Sequence, residues 1–237
     1  MSNSYSGRIV LITGARRGVG QLLTQHFLSN GAKVIGFSRH EDDSPLENYN
    51  PIAVDVGDAE SVARAFEKVR KTFGQVDIVI NNAAVLTSQY VMIMPPGAAK
   101  SMLDVNIFGT FLVSREAAKL MRKSKWGRII NVGSMAASLE PIGDSVYAAT
   151  KAAVSSLANV MAKEFASLNI TCNTLGITAI STDMLDQLPK DKIDAVIACL
   201  PLPRYATPDD IFNVVDFFAS ERSAYITAQT IFLGGVN

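Results

Sequence analysis

The chain has 237 residues, of which 48% are hydrophobic and 19% are charged. This composition supplies enough apolar surface for a buried core and excludes a disordered protein. The 22 Lys and Arg residues balance the 22 Asp and Glu residues. The chain therefore lacks the excess positive charge that would indicate nucleic acid or an anionic membrane as a partner. The two cysteines, Cys172 and Cys199, are too few and too widely spaced for a zinc site or a disulfide framework.

The first residues, MSNSYSGR, contain no apolar run of the kind found in secretory signals. No apolar stretch approaches the roughly 20 residues that a membrane-spanning helix needs. We therefore expect a soluble, cytoplasmic protein that binds neither membranes nor nucleic acid and holds no metal.

Short apolar runs alternate with helix-like segments along the whole chain. The clearest helix lies at 58–74, where apolar residues recur every three to four positions from Val62 to Phe73 before Gly74. In chain order, the predicted strands span 8–14, 33–38, 51–56, 76–84, 127–134, 170–176 and 229–235. The predicted helices span 18–30, 58–74, most of 97–123, about 145–168, and a segment capped by Thr207 through TPDD.

Strands that alternate with helices indicate a parallel sheet with helices on both faces. We predict an α/β fold with a single domain over residues 1–237. It is a Rossmann-like, doubly wound parallel sheet of about seven strands. The segment 177–206 fits the alternation least, and its prolines suggest a substrate loop or lid within the domain.

The segment TGARRGVG, residues 13–20, joins the first predicted strand to the first helix. Glycines at 14, 18 and 20 allow a tight turn and let the backbone approach a pyrophosphate at the helix N-terminus. A tight turn with no ligand is the alternative. Its position in the first βα unit favours a dinucleotide site.

Three motifs follow one another along the chain: T-G-x-x-x-G-x-G at 13–20, NNAA at 81–84 and Y-x-x-x-K at 147–151. Together they resemble the short-chain dehydrogenase/reductase family over nearly the whole chain. Residues 201–235 are similar to its 3-oxoacyl-carrier-protein reductase branch. The resemblance implies cofactor contacts from Gly14, Arg16, Arg17, Gly18, Val19, Gly20, Ser38, Arg39, Asp55, Val56, Asn82, Ala83, Ala84, Tyr147, Lys151, Gly176 and Thr178.

Tyr147 and Lys151 are four residues apart and share one face of a helix. An ammonium about 5 Å from a phenol, at an effective dielectric constant near 20, favours the phenolate by roughly 3 kcal/mol, or about two pKa units. We therefore expect Lys151 to lower the pKa of Tyr147 toward the pH at which a general acid-base works. An exposed Tyr and Lys on an amphipathic helix is the alternative.

The resemblance assigns four catalytic residues, Asn106, Ser134, Tyr147 and Lys151. It implies that hydride passes between a nicotinamide and a carbonyl carbon while Tyr147 protonates the oxyanion. Ser134 would hydrogen-bond the carbonyl, and Lys151 would also hold the nicotinamide ribose. Asn106 would hold a water that links the lysine to solvent.

The second predicted strand ends in GFSRH, without the acidic residue that commonly binds the ribose 2′-hydroxyl of NAD. Arg17 and Arg39 stand where the family has basic residues for the 2′-phosphate of NADP, and guanidinium groups bind phosphate with paired hydrogen bonds. We therefore predict NADP (NADPH) in preference to NAD. Two solvated surface charges are the alternative.

The chain departs from the family at Leu175-Gly176, where Pro-Gly is common, and the family threonine of that loop corresponds to Thr182. Residues 85–96 with Met184, Leu185 and Leu188 could form an apolar substrate pocket, or they could pack the core or an oligomer contact. The basic stretch 119–128 could bind an acyl carrier protein, but we favour the simpler explanation that these are cations at a helix C-terminus, where they interact favourably with the helix dipole. His26 and His40 show no partner pattern and are expected at the surface.

Two functions remain open at this point. The first is an NADPH-dependent oxidoreductase of a carbonyl or secondary alcohol, with a 3-oxoacyl thioester or another ketone as substrate. The second is a non-catalytic NADP-binding sensor that regulates a partner. The alanines of the helix around Tyr147 permit close packing, and the resemblance implies a homodimer or homotetramer through this helix.

Overall fold

A computed structural model of the chain describes residues 4–41, 46–181 and 190–236. The strands in these ranges are β1 Ile9–Thr13, β2 Lys33–Ser38, β3 Tyr49–Ala53, β4 Ile78–Asn81, β5 Gly127–Ser134, β6 Ile170–Ile177 and β7 Thr230–Phe232. The helices are α1 Gly18–Ser29, α2 Ala59–Thr72, α3 Pro96–Met102, α4 Thr110–Ser124, α5 Ala136–Leu139, α6 Ser145–Phe165, α7 Lys190–Ala198 and α8 Pro208–Ala219. A π-helical stretch, Leu103–Gly109, connects α3 to α4.

The strands form one parallel sheet in the order β3-β2-β1-β4-β5-β6-β7. The predicted doubly wound sheet is therefore confirmed. The chain winds outward from β1 to β3 and then returns to place β4 on the other side of β1. Connections leave β1 and β4 in opposite directions, which opens a crevice at the carboxyl ends of these strands.

Alternate residues of each strand enter two separate cores. Leu11 and Val79 face the layer that contains α2, α4 and α6, whereas Ile12 and Ile80 face α1 and α8. All four side chains are fully buried. Burial on both faces explains why these strands are apolar throughout rather than alternating with polar residues.

Local sequence signals account for most element boundaries. Asp58 caps α2, and Thr207 with Asp210 forms a reciprocal capping box at α8, as predicted. β4 is shorter than predicted because Asn82 leaves the sheet to contact the glycine turn. The short α5 and α7 were not predicted, since neither has a long apolar period.

His26 does not lie free on the surface, so that expectation is wrong. Its Nε2 lies 2.8 Å from Asp216 Oδ1, and its ring stacks on Phe212 with centroids 4.2 Å apart. Tyr5 donates to the same carboxylate oxygen at 2.6 Å. This cluster joins the N-terminal segment to α1 and α8, on the core face opposite α6. His40 is exposed, as expected.

Among the residues that the structure describes, no helix combines the length and apolar character needed to cross a membrane.

Candidate active site

A cavity of about 290 Å³ opens at the carboxyl ends of the central strands. Most of the predicted cofactor residues line this cavity: Gly14, Arg16, Arg17, Gly18, Val19, Ser38, Arg39, Asp55, Val56, Asn82, Ala83, Ala84, Tyr147 and Lys151. The topology brings together residues from the loops after β1, β2, β3 and β4 and from α6, which are distant in sequence. The cavity extends from the N-terminus of α1 to the α6 face that carries Tyr147.

The glycine turn requires its glycines for conformational and steric reasons. Gly14 has φ of 67° and lies against the backbone of Ala83. A Cβ on Gly20 would lie 2.1 Å from Gly14 O, so only glycine lets α1 approach the turn this closely. Gly20 does not line the cavity. Gly20 therefore holds the turn in this structure, and its predicted cofactor contact stays a prediction.

Thr13 fixes the loop after β4 against the glycine turn. Its Oγ1 accepts hydrogen bonds from the backbone N–H groups of Asn82 and Ala83, at 3.0 and 2.9 Å. Asn82 Nδ2 donates to Thr13 O at 2.9 Å. Thr13 and Asn82 both belong to motifs that the sequence shows, but the sequence does not reveal the contact between them. These hydrogen bonds fix the part of the cavity wall that lies between β1 and β4.

Ser134, Tyr147 and Lys151 meet at one end of the cavity. Ser134 ends β5, and its hydroxyl is hydrogen-bonded to the Tyr147 hydroxyl. The Lys151 Nζ donates to Val132 O at 2.8 Å and lies 5.8 Å from the centroid of the Tyr147 ring. All three side chains are buried. The exposed-surface alternative for Tyr147 and Lys151 is therefore wrong.

Burial controls the ionisation of this pair. It raises the pKa of Tyr147 to about 12; the hydrogen bond from Ser134 acts in the lowering direction, and the charge of Asp144 adds to the rise. Burial also lowers the pKa of Lys151 to about 8. The predicted lowering of the Tyr147 pKa is wrong for this structure, because it counted the ammonium and omitted desolvation.

Asn106 lies in the π-helical stretch and is fully buried. Its Oδ1 accepts from Val85 N at 2.8 Å, and its Nδ2 donates to Val85 O and to Thr150 Oγ1, both at 3.0 Å. Thr150 in turn donates to Tyr147 O at 2.7 Å. The side chain thus connects the loop after β4 to the turn of α6 that carries the tyrosine. Its predicted water contact stays a prediction.

The end of the cavity beside β2 is positively charged. Among the lining residues that the structure describes, the basic ones at this end are Arg16, Arg17 and Arg39, Lys151 lies at the other end, and Asp55 is the sole acidic one. Arg16 donates to Glu41 O at 3.4 Å, and Ser38 donates to His40 O at 2.7 Å. Residues 42–45 lie outside the described part of the chain.

Two predicted cofactor residues at the end of β6, Gly176 and Thr178, do not line the cavity. A Cβ on Gly176 would lie 2.1 Å from the Phe232 ring, so this glycine makes room for β7. Thr178 is buried beside Gly234. Ile177 and Ile180 line the cavity instead. Ile177 ends the parallel strand β6 and Ile180 follows it. This position was the signal available in the sequence, because the carboxyl ends of parallel strands carry ligand contacts.

The predicted lid region is only partly described. Thr182, Met184, Leu185 and Leu188 lie outside the described residues. The remainder of 177–206 includes α7, whose Ile193 and Ile197 pack with Ala179 and Met135. Within 85–96, Val85, Leu86 and Met94 pack against a cluster that includes Tyr147. Tyr90, Val91, Met92 and Ile93 are exposed.

The basic stretch 119–128 lies at the opposite end of the sheet from this site. It joins the C-terminus of α4 to the start of β5, whereas Ser134 ends β5. Seven residue steps at roughly 3.3 Å separate the two ends by about 23 Å. Arg128 is buried and lies 4.5 Å from the Trp126 ring centroid. Its Nη1 donates to Gly127 O at 2.9 Å. These facts favour cations at a helix C-terminus over a docking patch.

In the described ranges, no group of three or more His, Cys, Asp and Glu side chains could hold a metal ion.

The chain is similar to known proteins over almost its whole length. The short chain dehydrogenase family model matches residues 8–193. The chain is 33% identical to the 3-oxoacyl-[acyl-carrier-protein] reductase of Escherichia coli (strain K12) over 238 residues, covering 98% of each chain. The corresponding enzyme of Vibrio cholerae is 34% identical with the same coverage.

Two solved structures share the fold closely. A putative gluconate dehydrogenase from Agrobacterium tumefaciens matches with a TM-score of 0.91 and 26% identity, over 99% of this chain and 97% of that one. The aldohexose dehydrogenase of Thermoplasma acidophilum matches with a TM-score of 0.90 and 27% identity, over 99% and 95%.

Proposed function

The chain belongs to the short-chain dehydrogenase/reductase family and is an oxidoreductase of carbonyl or alcohol groups, and from that premise we propose that it is an NADPH-dependent carbonyl reductase. The observation that carries the proposal is one continuous cavity. It begins at the glycine turn and ends at the buried Tyr147 and Lys151.

The residues present fit a nicotinamide dinucleotide. The glycine turn brings backbone and the positive end of the α1 dipole to the cavity, which suits a pyrophosphate. Asp55 and Val56 would flank the adenine, and Asn82 to Ala84 would line the middle of the cofactor. Lys151 would hold the nicotinamide ribose, since Nζ has three donors and Val132 O takes one. The bound nucleotide supplies or accepts the hydride.

Tyr147 and Ser134 would act on the oxygen of the substrate. With a pKa of about 12, the Tyr147 phenol is protonated at neutral pH and can donate its proton to an oxyanion. The Ser134 hydroxyl is hydrogen-bonded to that phenol, so both can meet one carbonyl oxygen. Their burial excludes water, which strengthens these hydrogen bonds.

Electrostatics favours NADP over NAD. Arg16, Arg17 and Arg39 line the cavity, and no described carboxylate at the end of β2 lines it. A 2′-phosphate would gain charge-assisted hydrogen bonds from guanidinium groups there. Fluorescence titration with NADPH and NADH tests this. We expect Arg39→Ala to weaken NADPH binding about tenfold or more and to leave NADH binding nearly unchanged. Equal weakening of both would contradict the NADP assignment.

The substrate is proposed as a 3-oxoacyl thioester or another ketone, because the curated relatives reduce 3-oxoacyl groups on acyl carrier protein. An acyl carrier protein docked on 119–128 receives no support, since that stretch lies about 23 Å from Ser134 along β5.

For the quaternary structure we propose a homodimer or homotetramer. Exposed apolar side chains on the adjoining α4 and α6, including Phe111 and Val160, supply the contact surface.

A Tyr147→Phe variant tests the enzymatic proposal against a non-catalytic NADP sensor. We expect the variant to bind NADPH like the wild type but to lose carbonyl reduction by about a thousandfold or more, because the proton donor is removed. Wild-type protein that binds NADPH but reduces no compound in a panel of ketones and 3-oxoacyl thioesters would favour the sensor.

A further inference from the structure

Asp144 lies one helical turn before Tyr147 and has an unusual environment. It is buried, and its Oδ1 has no hydrogen-bond partner among the described residues. It precedes α6, yet its side chain does not cap that helix. It also forms no salt bridge with any residue that the structure describes. Buried carboxylates are costly without partners, so the position calls for a functional explanation.

Three charged or ionisable groups follow one another at the start of α6. Asp144 directly precedes the helix, three positions before Tyr147, and Lys151 lies four positions after Tyr147 on the same helix face. The phenol therefore has a carboxylate one turn before it and an ammonium one turn after it. Other elements packed on Tyr147 contribute the Ser134 hydroxyl from β5 and apolar side chains such as Val85, Met102 and Ala136.

We propose that Asp144 acts through Tyr147: its buried carboxylate holds the tyrosine in the phenol form, and thereby favours carbonyl reduction over alcohol oxidation. Reduction uses the phenol as a proton donor, whereas oxidation needs the phenolate as a base. A negative charge one turn before the phenol opposes formation of the phenolate. The carboxylate thus offsets the ammonium of Lys151, which acts in the opposite sense. This inference rests on the proposed function.

The contribution of Asp144 is measurable through pH profiles of the full chain. The first variant is Asp144→Asn, which removes the charge and keeps the shape; Asp144→Glu restores the charge. Asp209→Asn is the matched control, because Asp209 is an exposed carboxylate in the first turn of α8. For each protein, kcat is measured across pH for ketone reduction with NADPH and for oxidation of the corresponding alcohol with NADP⁺.

In the wild type and in Asp144→Asn, kcat for ketone reduction should fall as the pH rises and Tyr147 loses its proton. We expect this fall to occur at a pH about one to two units lower in Asp144→Asn than in the wild type. Alcohol oxidation near pH 8 should rise about tenfold, because more phenolate is present. Asp144→Glu should return the profile toward the wild type, and Asp209→Asn should leave it unchanged. Equal losses in both directions with no displacement along the pH axis would mean that Asp144 is only structural, and would overturn the proposal.

A spectroscopic titration separates this proposal from the proposed function. The phenolate absorbance of each protein is measured in the near ultraviolet, and the same protein carrying Tyr147→Phe is subtracted to isolate one tyrosine of six. Up to about pH 11 we expect Tyr147 to ionise in Asp144→Asn and to stay a phenol in the wild type. This result would support the role of Asp144 even if no ketone were reduced. Identical titrations would refute it even in an active enzyme.

Discussion

Lys151 gives the sharpest stability prediction, because burial opposes its charge. Its side chain is buried on α6, and burial lowers its pKa from 10.5 to about 8. Folding near neutral pH must therefore desolvate an ammonium that an unfolded chain leaves in water. Lys151→Met removes the charge and keeps an unbranched side chain of similar length. We expect this variant to be inactive as a reductase and yet more stable than the wild type at pH 7.

The magnitude follows from the two pKa values of Lys151. A lysine that titrates at about 8 when folded and at 10.5 when unfolded costs about 3 kcal/mol of stability at pH 7. The cost is relieved as pH rises from 8 through 10.5, because the unfolded chain then loses the extra proton. By pH 10 only about 1 kcal/mol of it remains. Losing the hydrogen bond to Val132 O offsets about 1 kcal/mol.

The net advantage of Lys151→Met should thus shrink from about 2 kcal/mol at pH 7 to near zero at pH 10. Urea unfolding of both proteins at the two pH values, at one fixed protein concentration without cofactor, measures this difference. The comparison cancels every other group that titrates alike in both proteins. A difference in stability that does not change between pH 7 and pH 10 would refute the desolvation argument.

Two further substitutions follow from close contacts. Gly20→Ala should weaken NADPH binding more than tenfold and lower the melting temperature, because the new Cβ would lie 2.1 Å from Gly14 O; a cofactor titration with wild-type affinity would contradict this. Asn106→Ala should cost about 2–4 kcal/mol of unfolding free energy, since it leaves the polar atoms of Val85 and Thr150 without their partner. Thermal or urea unfolding checks it, and a loss below about 1 kcal/mol would mean that solvent replaces the bridge.

Local sequence patterns predicted the features that depend on neighbouring residues. The apolar strands, the capping box at Thr207 and the glycine turn all follow from short-range rules. The parallel order follows from the alternation of strands and helices. The close contact between Gly20 and Gly14 could also be predicted from the sequence, because a glycine at the start of a helix lets another segment of backbone come close to that helix.

Contacts between distant segments could not be predicted in the same way. The bridge from Asn106 to Val85 and Thr150 depends on how the π-helical stretch meets α6 and the loop after β4. That Ile177 and Ile180 line the cavity, and Gly176 and Thr178 do not, depends on which way each residue turns at the end of β6. A sequence gives the spacing of such residues but not the direction in which a loop leaves a strand.

The Tyr147 pKa shows why helix spacing alone gave the wrong sign. At about 5–6 Å and an effective dielectric near 20, Lys151 and Asp144 would each change the free energy of the phenolate by roughly 3 kcal/mol, in opposite directions. Burial is the largest cause of the shift in the Tyr147 pKa and decides its direction, and the charge of Asp144 adds to the rise. Spacing shows where the charges are, but only the packed structure shows that water is excluded. The buried phenol is therefore the resting form of Tyr147, which suits a proton donor in reduction.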